Sequence, residues 1–209
     1  MFFRLRSVVL AASSTAAALT LFAPAAQADL LSVLPGSCGT QHESQPFASW
    51  GDYSFYTPVP GGTFEPASPA WALSGGAKVT PGNESFRVSG PGAFSLSLPA
   101  GSSAVSPASC TSIYHPTVRF FLRNTGSPAS QLIVQALYPG LFGTVQTATL
   151  GRLAGSPTWQ PSPAMTLLVT NLFATVSLDK TSIAFRFLPA DDDGAWSIDD
   201  VYLDPYIRG

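Results

Sequence analysis

The chain has 209 residues, 45% hydrophobic and 11% charged, with a formal net charge of −2 at neutral pH. That length suits one domain with a substantial core, and the lack of a basic footprint excludes a nucleic-acid binder. Eighteen glycines and nineteen prolines cut the sequence into short runs, which argues against long helices.

Residues 1–28, MFFRLRSVVLAASSTAAALTLFAPAAQA, open with Arg4 and Arg6, continue through small and apolar residues and close on Ala26-Gln27-Ala28. This is the layout of a secretory signal peptide with an A-x-A cleavage site. The protein is therefore expected to be secreted, extracellular or held at the cell envelope. Beyond this segment no stretch is long and apolar enough to span a bilayer. Cys38 and Cys110 are the only cysteines, and an even count in an oxidising compartment points to a disulfide. Closing a loop of roughly 70 residues would add about 4 kcal/mol on the chain-entropy model. Residues 29–62 are expected to form an N-terminal arm pinned by Cys38, and residues 63–209 the folded domain.

Within that domain, runs with strand chemistry alternate with Gly and Pro breaks: residues 71–74, 85–89, 93–99, 117–124, 130–138, 144–150, 165–170, 182–189 and 195–204. In TVRFFLRN, Val118, Phe120 and Leu122 share one face while Thr117, Arg119, Phe121 and Arg123 share the other, the period of two of a half-buried antiparallel strand. About nine such strands predict an all-β fold, a two-sheet antiparallel β-sandwich of jelly-roll type. Residues 171–180 offer at most a short turn of helix on a crossover.

The last run, WSIDDVYLD (196–204), places adjacent carboxylates in an otherwise apolar strand. Alternation turns at least one of them inward. Trp196, Ile198 and Tyr202 on the core face would turn Asp200 in, whereas Val201 and Leu203 there would turn Asp199 in, and the pattern leaves both open. An inward carboxylate needs a partner: a cation, one of Arg119, Arg123 and Arg186, or loop amides.

GGTFEPASPAWALSGGAKVTPGN (61–83), with its Phe64-Glu65 pair, its Trp71 strand and its Gly-rich turn, resembles the opening of jelly-roll carbohydrate-binding modules and related galactose-binding-like domains. WSIDDVYLD resembles their closing strand, and the plan is similar to that of secreted bacterial proteins. The resemblance implies that first and last strands lie side by side with a structural calcium near their junction. Carried to this chain, its ligands are Glu65 and Asp200, with Asp199 as the substitute. A hard cation takes six to eight oxygens, and carbonyls of a Gly61-Gly62 turn can approach it closely.

Other candidates are weaker. Asp191, Asp192 and Asp193 precede a Gly as in a tight turn, and His42 and His115 carry no acid–nucleophile pattern around them. Glu65 with Asp199 or Asp200 would be the pair for a jelly-roll glycoside hydrolase or lyase. Sugars stack on exposed rings beside a few polar groups; the rings on offer are Trp50, Tyr53, Tyr56, Trp71, Tyr114, Tyr138, Trp159 and Tyr206, with Trp71 and Trp159 expected in the core. Arg119, Arg123, Gln135 and Arg186 would form a polar, ligand-facing groove if their strand faces coincide. The leading expectation is a non-catalytic module that binds a polysaccharide or cell-surface glycan, or serves as a cell-envelope accessory. The alternative is a protein-interaction or adhesion domain with no sugar site.

Overall fold

The computed structural model describes residues 42–111, 117–140, 144–167 and 181–204. Within them the chain forms β1 (Thr57–Pro58), β2 (Ala72–Ser74), β3 (Lys78–Pro81), β4 (Phe94–Pro99), β5 (Ser103–Val105), β6 (Ser109–Thr111), β7 (Thr117–Asn124), β8 (Leu132–Pro139), β9 (Val145–Leu153), β10 (Gln160–Pro161), β11 (Met165–Thr166), β12 (Thr181–Pro189) and β13 (Ala195–Leu203). One sheet runs β10-β7-β13-β4-β3, with β1 added to β13 and β11 to β7; the other runs β2-β5-β12-β8-β9, with β6 added to β12. Every described pairing is antiparallel, so the fold is the expected two-sheet sandwich. The predicted signal peptide (1–28), Cys38 and the helical candidate 171–180 lie outside the described residues.

The core lies between the sheets and follows the period of two. Val118, Phe120 and Leu122 of β7 meet Ile183, Phe185 and Phe187 of β12 and Leu132, Val134 and Ala136 of β8. Trp71 belongs to it, packed on Phe64 and Phe187, with its indole N–H donated to the Pro60 carbonyl.

Residues 85–89, predicted as a strand, form a turn instead. The Glu84 carboxylate accepts the amides of Phe86 and Val88, and Arg87 adopts φ +55°. A local acceptor has captured the donors a ladder would need. Conversely, β3, β5 and β6 were not anticipated, because Lys, Ser, Thr and Pro dominate them and two are only three residues long. Their partners hold them in place rather than their own propensity.

The stretch from 42 to 59 is built into the sandwich. Phe47 sits on the outer face of the first sheet, stacked 5.3 Å from Phe121 and edge-on to Tyr56 and Tyr202. Asp52 accepts from the Arg119 guanidinium at 2.6 Å and the Tyr56 hydroxyl at 2.7 Å, while Arg119 also lies over the Phe47 ring and donates twice to the Ser162 carbonyl. Burial works to raise the Asp52 pKa, but hydrogen bonds from Tyr56, Ser54 and Arg119 together outweigh it and hold the group at about 2. A lowered folded-state pKa contributes stability above the unfolded value of 3.8, lost as pH falls toward 2. Acid titration of the intact protein should therefore lose stability across that window, by less than about 2 kcal/mol because solvent reaches the carboxylate, and Asp52→Asn should flatten that part of the curve.

Candidate functional site

The closing strand carries a β-bulge. Asp199 pairs with Phe121 and Tyr202 with Arg119, so Asp200 and Val201 together oppose the single residue Phe120. Asp200 sits at φ +49°, the left-handed region that Asp tolerates better than most residues with a Cβ. The extra residue resolves the two alternatives left by strict alternation. Trp196, Ile198, Val201 and Leu203 all reach the main core, while Tyr202 joins Phe47, Tyr56 and Phe121 on the outer side. Asp199 and Asp200 are both buried, at 0% and 1% exposure.

The turn at Gly61-Gly62 closes on this bulge. Val59 N–H donates to the Val201 carbonyl and Val201 N–H to the Gly62 carbonyl. A Cβ on Gly62 would lie 2.9 Å from the Val201 oxygen, and one on Gly61 would lie 2.0 Å from the Pro69 oxygen. Only glycine lets the opening of the domain lie this close to its end.

Asp199 is satisfied by main-chain amides: Oδ2 accepts from Glu84 N–H and Oδ1 from Asp200 N–H, each at 2.9 Å. Both oxygens of Asp200 are buried without a hydrogen bond. Burial, then the neighbouring Asp200 charge, pushes Asp199 up to about 8. Burial pushes Asp200 up to about 7; Ser89 lies near enough to lower it and the Glu84 carboxylate near enough to raise it. Glu84 itself is buried at 1% exposure. Such a cluster needs positive charge, as a proton or a cation.

Glu65, expected among the ligands, is engaged elsewhere. Its Oε1 accepts the Ala93 and Phe94 amides at 2.7 and 3.2 Å, bracing the start of β4. Glu84 is the glutamate that acts on the aspartates, and sequence reasoning passed over it. The signal was available as an acidic residue in the turn-forming Gly82-Asn83-Glu84-Ser85 stretch. Among the described residues no group of three or more His, Cys, Asp or Glu side chains is arranged to hold a metal ion. A hard cation here would be bound by the two Asp200 oxygens beside the Glu84 carboxylate, whose own oxygens already accept the Phe86 and Val88 amides.

The four residues expected to line one groove are divided between opposite faces of the sandwich. Arg119 and Arg123 lie on the outer face of the first sheet: Arg119 is clamped to Asp52, and the Arg123 guanidinium lies 4.9 Å over the Trp159 ring. Trp159 is thus half-buried under Arg123 and packs against the outer aromatic cluster. Gln135 and Arg186 are direct cross-strand neighbours in the second sheet, on the face away from Phe185 and Phe187. Beside them, Gln135 pairs with Thr149 of β9, and Val105, Leu137 and Ala184 form an apolar group on the same side.

No family model and no curated protein matches the sequence. Among solved structures the fold is similar to the CBM22-1 xylan-binding domain from Paenibacillus barcinonensis Xyn10C, with TM-score 0.46 and 12% identity over 67% of this chain and 88% of that one. It is also similar to the C-terminal family 22 carbohydrate-binding module of Clostridium thermocellum Xyn10B, with TM-score 0.45 and 17% identity over 82% and 98% of the two chains. A third is a CBM61 module solved with β-1,4-galactotriose, with TM-score 0.36 and 16% identity over 79% and 98%.

Proposed function

We propose that the protein is a secreted, non-catalytic β-sandwich module that binds a polysaccharide or cell-surface glycan through the outer face of its second sheet. The observation that carries this reading is the Arg186–Gln135 pair. Arg186 makes no hydrogen bond or ion pair among the described residues, and the Gln135 Oε1 is buried without a donor. A charged donor fork beside an unfilled acceptor, set over the buried apolar group of Val105, Leu137 and Ala184, offers the polar contacts a hydroxyl-rich ligand needs.

The non-catalytic part is supported by the carboxylates. Asp199 and Asp200 are closed off from solvent, and Glu65 is taken up by main-chain amides, so the pair considered for glycoside cleavage cannot meet a substrate. A structural calcium held by Asp200 and Glu84 belongs to the proposal, as does a disulfide from Cys38 to Cys110 of β6. Secretion is supported by the signal-peptide pattern of residues 1–28.

The test is a glycan array on the purified protein, followed by titration of the best ligand against Arg186→Gln. Loss of a charged hydrogen bond should weaken binding about tenfold or more. A blank array from protein with an intact melting transition would overturn the reading. It would also favour the protein-interaction alternative, which draws on Leu73 and Val79, each about two-fifths exposed on the terminal strands β2 and β3.

A further inference from the structure

We propose a second ligand site on the opposite side of the sandwich, at Trp50, Phe86 and Arg123, that takes carboxylate-bearing sugars such as uronate oligosaccharides. Trp50 and Phe86 are 37% and 43% exposed. Their rings meet edge to face at 4.7 Å, and both rest on the buried Phe121, at 5.4 and 5.6 Å. These rings are therefore fixed before a ligand arrives, so little entropy is lost on stacking a sugar against them.

Arg123 supplies the charge. It lies two residues along the same strand face from Phe121 and is stacked on Trp159. Arg119, on that same face, is neutralised by Asp52. Arg123 has no acidic partner among the described residues, and its Nε is buried without an acceptor. A guanidinium held 4.9 Å over an indole is restrained in place, and its donor fork suits a carboxylate in two-point contact. Arg87, exposed beside Phe86 in the sequence, adds a second unpaired cation. Of the acidic groups nearby, Glu84, Asp199 and Asp200 are buried beneath the turn, and the partly exposed Asp52 is already taken up by Arg119 and Tyr56.

An apolar ring pair alone would accept any sugar or peptide. The unpaired arginine beside it selects an anionic pyranose, in which a flat C–H face and a carboxylate occur in one residue. This site is independent of the Arg186–Gln135 face, which lies across the sandwich.

The experiment titrates tetragalacturonate and neutral xylotetraose into the intact protein at low salt, read by tryptophan fluorescence and calorimetry. Tetragalacturonate should bind and xylotetraose should bind at least tenfold more weakly. Arg123→Gln and Trp50→Ala should each weaken tetragalacturonate at least tenfold, while Arg152→Gln, an equal charge change on β9, should leave it within twofold. Should Arg123→Gln unfold, Trp50→Ala decides, since its ring is partly exposed. Absence of tetragalacturonate binding, equal binding by the Trp50 variant, or equally strong displacement by polyglutamate would overturn the site. Retention of neutral-glycan binding through Arg186 would stand regardless.

Discussion

Chelation should lower the melting temperature of the intact protein by about 5–10 °C, and Asp200→Asn should abolish that response. Asp200 brings to the bulge two buried oxygens that make no hydrogen bond, close enough to the Glu84 carboxylate for that charge to raise the Asp200 pKa. A cation at that point binds the folded chain alone, and hundredfold saturation stabilises by about 2.7 kcal/mol. For a domain of this size each kcal/mol moves the transition by about 2–4 °C. The asparagine variant removes the repulsion together with the ligand, so in chelator it should melt no lower than the parent. Glu65→Ala should retain the chelator response, because its carboxylate braces β4 instead. An unchanged melting curve in chelator would eliminate the calcium reading.

Arg119→Ala should destabilise the protein by about 2–4 kcal/mol. Removing one member of a buried pair costs about 3–5 kcal/mol, and the figure is reduced here because the Asp52 side chain is 23% exposed. The loss has three parts: the Asp52 carboxylate is left unpaired, the Ser162 carbonyl loses two donors, and Phe47 loses the cation over its ring. Denaturant unfolding should show a lower midpoint with an unchanged slope. A double-mutant cycle with Asp52→Ala should return a coupling above 1 kcal/mol. A cost below about 1 kcal/mol for Arg119→Ala would mean that the arm is held by its aromatic rings alone.

Much of the sandwich was legible because period-two patterning survives wherever a strand has one wet face and one dry face. β7 keeps the bounds and core-facing residues that the alternation of TVRFFLRN predicts, although its other face is not wet but covered by Phe47 and the 42–59 stretch. Short strands such as β5 and β6 were invisible, since three residues carry no period and their stability comes from β12 beside them. The site was half legible. A run of apolar residues interrupted by Asp199 and Asp200 announced buried charge, but not that both would be buried, because a bulge is an insertion in pairing and leaves no mark in a single strand's composition. Glu84 was passed over because its role depends on a turn folding back from 115 residues away. The proposed groove failed because strand faces can be read within a strand but not assigned to one sheet or the other.

The extra residue at Asp200 works as a phase shifter. Ahead of it, even-numbered side chains fill the interior; after it, odd-numbered ones do, so a single strand serves as the wall between two separate apolar compartments. Deleting Asp200 would remove the bulge and restore strict alternation, with Val201 opposite Phe120 and Tyr202 still opposite Arg119, so Val201 and Leu203 would stay inward and Tyr202 would stay on Phe47. Shortening the exposed turn at Asp191–Asp193 leaves that phase untouched. A one-residue deletion within 195–198 or 202–203 would instead flip part of the strand, so Asp200 is where the closing strand should best tolerate losing a residue.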